Sequence, residues 1–215
     1  VIKIHKSFSW FCYAAIAIVI TLLFFENFIF SSKLGYLILR DYDDLAFQVS
    51  LRQTHINILR GNISSLFALN DYAYGWVFWI TMSMVTFPSF LLSYLGNIDW
   101  PLIVIPRQIS LIFTILCLLV LRKILKRFTV PEWGIAGALL MLILLPAIGY
   151  FSMRFSTVNA VMFFAMLSLY LAMRDDHPLD FGRLLRVFFS LAIAGAIKLT
   201  GLLIAPLVFS LFISD

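Results

Sequence analysis

From Phe8 to Phe25 the chain runs without a charged residue, and Glu26-Asn27 close the run. About 20 consecutive apolar residues are what a helix needs to cross a hydrocarbon core of about 30 Å. In lipid such a helix also bonds every backbone N–H and C=O within itself. Similar runs recur at Leu102–Leu121, Trp133–Met153, Phe155–Met173 and Val187–Ile213. Of the 215 residues 62% are hydrophobic and 13% charged, against roughly 45–50% and about 25% in soluble domains. Too little charge remains to cover a surface in water, which excludes a soluble globular enzyme. The 22 Phe and 5 Trp exclude a solvated coil. The expected fold is all-α, a polytopic transmembrane helical bundle forming a single domain over residues 1–215.

Spans at about 8–28, 102–121, 133–153, 155–173 and 187–213 leave one uncharged segment, 72–98, rich in aromatics around Pro88. Charge decides where it belongs. If 72–98 does not cross and the N-terminus is cytoplasmic, nine basic residues lie inside: Lys3, Lys6, Arg122, Lys123, Lys126, Arg127, Arg174, Arg183 and Arg186. Six lie outside (Lys33, Arg40, Arg52, Arg60, Arg107 and Arg154), with Lys198 left in the membrane. If the segment crosses, four are inside against eleven outside. The positive-inside rule selects the first arrangement. It makes 31–71 a long outer loop, 72–98 an embedded or interfacial segment, and Arg122–Arg127 and Arg174–Arg186 cytoplasmic turns.

The same rule accounts for the net charge of +5 without nucleic acid. Cys12 and Cys117 both sit in apolar runs, which makes them packing or lipid-facing residues, not a disulfide framework. The chain starts at Val1 and ends just past an apolar run, as expected of a processed, truncated or fragmentary chain. Its first run is too long for a signal peptide and no small-residue cleavage site follows. No solenoid-like repeat is visible.

Three of the eleven acids fall within four residues of the outer loop, at Asp41, Asp43 and Asp44. From Asp43 onward Leu45, Val49, Ile56 and Leu59 recur near helical spacing, and Gly61-Asn62 reads as a stop. The segment predicts an amphipathic helix on the membrane surface, acids at its N-terminal end. Asp41 as N-cap with Asp44 three residues on would be a capping box, and acids there suit the helix dipole. Neither reason requires Asp43. His5 and His55 lack metal-like companions and read as interfacial polar residues. Asn62-Ile63-Ser64 fits the N-glycosylation triplet, a pattern frequent by chance.

Asp43-Asp44-Leu45-Ala46-Phe47, placed after one span on an outer loop, resembles the Asp-Glu-Ala-x-Tyr loop of the GT-C membrane glycosyltransferases. These include the protein O-mannosyltransferases and the aminoarabinose transferases of the bacterial envelope. Further landmarks follow in similar order: Leu59-Arg60-Gly61-Asn62, Tyr72-Ala73-Tyr74-Gly75-Trp76, Arg107 opening a span, a basic turn, Pro146, and Lys198-Leu199-Thr200-Gly201-Leu202. The resemblance covers nearly the whole chain and matches the N-terminal portion of such proteins, which usually continue through further spans.

What the resemblance implies is transfer of a sugar from a polyprenyl-phosphate donor to a lipid, glycan or protein acceptor on the outer face. The setting it implies is the bacterial inner membrane in preference to the endoplasmic reticulum. A loop carboxylate, Asp43 with Asp44 and Asp41 beside it, would take the acceptor's proton. The phosphate leaving group needs cations, and Lys198, Arg154 and Arg107 are the candidates. Lys198 costs about 2.5–3.5 kcal/mol inside a span, which marks it as functional by default, with snorkelling to an interface as the alternative. Arg107 near a span end could equally be an interfacial anchor. The family's second acid, which helps hold a divalent metal, has no counterpart in Tyr150–Ser156. That argues against a metal, and no cofactor is assigned. Two other classes compete. A small transporter subunit would use Lys198 and Arg107 on a substrate path with helices interrupted at Pro88 or Pro206. A non-catalytic scaffold or fragment of the same fold would bind without turnover.

Overall fold

The structure is a computed structural model, and it describes residues 2–31, 42–67, 75–173 and 181–213. Among them every regular element is a helix. In chain order these are α1 (Ile2–Ser31), α2 (Tyr42–Leu59), a 3₁₀ turn (Ile63–Leu66), α3 (Trp76–Gly96) and α4 (Trp100–Arg127). There follow α5 (Glu132–Leu144), α6 (Pro146–Ser152), α7 (Val158–Ala172), α8 (Phe181–Ile197), a second 3₁₀ turn (Leu199–Ile204) and α9 (Ala205–Ile213). The chain is an all-α bundle.

Among the described residues three helices are long and apolar enough to cross a membrane, His5–Ile29, Val77–Gly96 and Trp100–Arg127, and a fourth if the bent pair Glu132–Leu144 and Pro146–Ser152 is one span. On α1 the exposed stripe is Phe11, Ile18, Leu22, Phe25 and Ile29, while Cys12, Ile16, Leu23 and Asn27 face inward. An uninterrupted apolar stripe of that length is a lipid-facing surface. Inward, Ile16 packs with Leu118, Ile135, Leu139 and Ile143 between α1, α4 and α5. Cys12 and Cys117 are both buried free thiols.

Several expected boundaries are revised. The 133–153 span is bent by 67° between α5 and α6, because Pro146 drives Leu145 to extended backbone (φ −62°, ψ 128°). Residues Met153–Thr157 are not helical, so the 155–173 run contains only the 15-residue α7, about 22 Å long at the helical rise. The 187–213 run breaks at Lys198, whose extended backbone separates α8 from the second 3₁₀ turn. Arg122–Arg127 are not a turn but the last turns of α4, where cations complement the helix dipole. The turn itself follows, with Thr129 at φ 55°.

The two ends of the bundle differ in charge. At one end Glu132 at the start of α5 bonds Arg122 (2.6 Å) and Lys126 (3.5 Å) of α4 and accepts from Tyr13 Oη (2.6 Å). Arg127 donates to the Tyr170 carbonyl at the end of α7, and Arg183 of α8 donates to the carbonyls of Leu171 and Ala172. At the other end Gln108 donates to the Phe24 carbonyl and Asn27 to the Ser152 carbonyl. Phe78 stacks on Phe155 at 5.5 Å, and Ser93 donates to Asp99, just ahead of α4.

Candidate functional site

Asp43 and Asp44 stand in the first turn of α2, which opens at Tyr42; Asp41 lies outside the described residues, as do the side chains of the other two. Gly61, at φ +82°, ends the segment. The inward face of α2 is not the expected apolar stripe. Phe47, Gln48, Leu51, Thr54 and His55 are buried, whereas Val49 and Leu59 are exposed. Against a helical neighbour the polar Gln48, Thr54 and His55 turn inward, and apolar residues remain outside where lipid can cover them. His55 is accordingly no interfacial residue. It is fully buried, its Nε2–H donates to the Ser83 carbonyl at 2.9 Å, and its ring lies 4.9 Å from that of Phe90. Burial pushes its pKa down from 6.5, partly offset by the Ser83 carbonyl. His5 is exposed and stacks on Trp133 at 5.3 Å.

One turn beyond the acids, Phe47 meets Phe155 edge-on at 5.0 Å and lies 6.3 Å from the Trp79 ring. Phe78, Leu102, Ala160 and Ile197 belong to the same buried cluster, with Leu51, Met82 and Phe90. Arg154 is the chain neighbour of Phe155, and Lys198 the neighbour of Ile197. Segments more than a hundred residues apart are thereby drawn to one place beside the start of α2. The Arg154 guanidinium lies 4.5 Å from the Tyr150 ring centre and donates to its hydroxyl. Lys198 is half-buried at the end of α8, with its N–H on the Ala194 carbonyl at 3.1 Å. Arg107 is only 6% exposed, within α4.

Two local devices hold this arrangement. Asn159 of α7 donates to Thr114 Oγ1 (2.9 Å), the Ser110 carbonyl (3.3 Å) and the Phe151 carbonyl (3.0 Å). Thr114 in turn bonds Ser152 at 2.8 Å, and the Ser156 N–H donates to Ser110 Oγ at 3.2 Å. The Met153–Thr157 segment is thus pinned to α4 from both sides. The second device is Gly75, whose N–H donates to the Ile197 carbonyl at 2.7 Å. The backbones approach so closely that a Cβ on Gly75 would sit 1.5 Å from the Ala196 oxygen.

Around the cluster, polar atoms are buried without a partner: both amide atoms of Gln48, Trp79 Nε1 and Thr157 Oγ1. Each such atom costs about 1–3 kcal/mol unless a water or another polar group meets it; further ones lie elsewhere in the bundle, at Ser83 and Gln108. The sequence marks none of Gln48, Trp79 and Thr157 as a site residue. Gln48, one position past Phe47 in the acid run, carried the only available signal. Among the described residues no group of three or more His, Cys, Asp or Glu is placed to hold a metal.

Comparison with protein-family models, curated proteins and solved structures finds no match for this chain. The class defined by the fold is a helical bundle with apolar helices able to cross a membrane. Beyond the class, the features that distinguish this chain are a helix opened by acids and the buried cluster in which Phe47, Phe155 and Ile197 meet.

Proposed function

We propose that the chain is a glycosyltransferase acting at the outer face of a membrane on a polyprenyl-phosphate-linked sugar. The acceptor hydroxyl or amine attacks the anomeric carbon, the bond from that carbon to the phosphate oxygen breaks with inversion, and Asp43 takes the acceptor proton. The carrier phosphate leaves with its charge held by Lys198, Arg154 and Arg107. One observation carries the reading: Phe47, Phe155 and Ile197 share one cluster, bringing the neighbours of the acids, Arg154 and Lys198 together. The unpartnered amide, indole and hydroxyl groups beside it suit a sugar's hydroxyls. Orientation follows from charge, since the end bearing Lys6, Arg122 and Lys126 is the cytoplasmic one by the positive-inside rule.

The test is transfer from a polyprenyl-phosphate sugar by purified protein in proteoliposomes. Asp43→Asn lowers transfer about 10²–10⁴-fold with folding intact. Asp41→Asn is milder, because an amide caps a helix well. Lys198→Met weakens donor binding and Lys198→Arg keeps part of it. Transfer by Asp43→Asn equal to wild type refutes the assignment. A second reading, a transporter subunit, draws on the helix breaks at Pro146 and Lys198, and substrate counterflow in the same vesicles would select it.

A further inference from the structure

A cavity of about 790 Å³ opens at the basic end, far from the acid-bearing helix, between the start of α1 and the junction of α4 with α5. Its polar edge holds Lys6, Arg122 and Glu132, and its walls include Trp10, Pro131 and Trp133. The charges do not cancel. Glu132 is already shared by Arg122, Lys126 and the Tyr13 hydroxyl, so the two cations that line the cavity, Lys6 and Arg122, meet a single carboxylate that is already engaged. Lys6 forms no ion pair among the described residues. The walls are the opposite of a soluble anion site, since Trp10 is 77% exposed and continues into the exposed Phe11. Tryptophan with cations at the end of an apolar helix is the composition found at the headgroup level of a bilayer.

We propose that this cavity binds an anionic phospholipid of the adjoining leaflet, its phosphate between Lys6 and Arg122 and its glycerol and upper acyl carbons against Trp10 and Trp133. The site is separate from the proposed transferase centre and stands whether or not that reading holds. A free phosphate would use the same cations but would leave the two indoles uncovered. Basic groups at a membrane surface each favour anionic lipid by about 1 kcal/mol, which corresponds to about fivefold per cation.

The experiment places the whole chain in phosphatidylcholine nanodiscs, with Trp76, Trp79 and Trp100 replaced by Phe. Fluorescence quenching by brominated phosphatidylglycerol is compared with quenching by brominated phosphatidylcholine at equal mole fraction. The expected result is a several-fold preference for phosphatidylglycerol, reduced about fivefold by Lys6→Gln. Lys6→Arg should retain it, and so should Arg60→Gln, a charge change on the other end. Lys6→Gln leaves the Glu132 ion pairs in place, so the bundle is not put at risk. Equal quenching by the two lipids overturns the proposal, as does a preference that survives Lys6→Gln. Displacement by millimolar soluble glycerol phosphate would assign the site to a free phosphate and overturn it equally.

Discussion

Gly75→Ala is the sharpest test of how the site is held. At φ −63° and ψ 145° any residue fits the backbone, so the perturbation is steric alone. The added carbon would lie 1.5 Å from the Ala196 oxygen and 2.5 Å from its carbonyl carbon, neither of which is a flexible group. The start of α3 must therefore move off the end of α8, losing the 2.7 Å bond from the Gly75 N–H to the Ile197 carbonyl. A hydrogen bond lost with its buried acceptor left bare costs about 1–3 kcal/mol, and residual overpacking adds about 1–3 kcal/mol. The expected loss is about 2–5 kcal/mol, or a midpoint lowered by roughly 4–20 °C for a chain of this size. Thermal unfolding in detergent micelles, followed by tryptophan fluorescence, measures it. Gly149→Ala is the control, since nothing lies within 4 Å of the new carbon. That change should be neutral or stabilising by up to about 1 kcal/mol, as alanine is the better helix former. Gly75→Ala within about 0.5 kcal/mol of wild type would refute the argument.

Asn159→Ala strips the donor from three buried acceptors and should cost about 2–4 kcal/mol in the same assay, while Asn159→Asp restores shape but not the donors and should not rescue it. His55 makes stability pH-dependent. Its folded pKa is depressed, so the unfolded chain protonates first as pH falls through about 6.5. Stability is full above that value and declines below it by at most about 1.4 kcal/mol per pH unit, a slope that titration of His55→Asn should flatten. In a background with Cys12 and Cys117 replaced, a cysteine at Lys126 should resist membrane-impermeant reagents added outside intact cells; rapid labelling there would reverse the proposed orientation.

Helices driven by hydropathy alone were legible in advance: α1 and α4 fill the first two apolar runs. Breaks were legible only where the chemistry is local. Pro146 announces the bend after Leu145, but Lys198 reads in sequence as a charge inside a continuous span, not as a break. There the close passage of Gly75 and Gly201 by the backbone of α8, which no local pattern records, accompanies the break. The inward face of α2 was misread for a similar reason. A surface-helix rule assumes water on one side and lipid on the other, whereas Gln48, Thr54 and His55 answer to α3. The acid cluster is plain in sequence, whereas the meeting of Phe47, Phe155 and Ile197 in one buried cluster has no local signal. Asn159 passed unnoticed because one amide in an apolar run says nothing until its three acceptors are placed around it.

The bond between Gly75 and Ile197 has a consequence in time. The two residues are 122 positions apart, and the N-cap of α3, made early, is tied to a carbonyl made late. At synthesis rates of about 5–20 residues per second, the start of α3 waits roughly 6–25 s for the strand of backbone that completes it. During that interval α2 and α3 can pack on one another and on the start of α4, but the partner that closes the cluster does not yet exist. A pause in translation, or an early stop before Ile197, should therefore leave the acid-bearing helix attached to an unfinished bundle, open to quality-control proteases at the membrane surface.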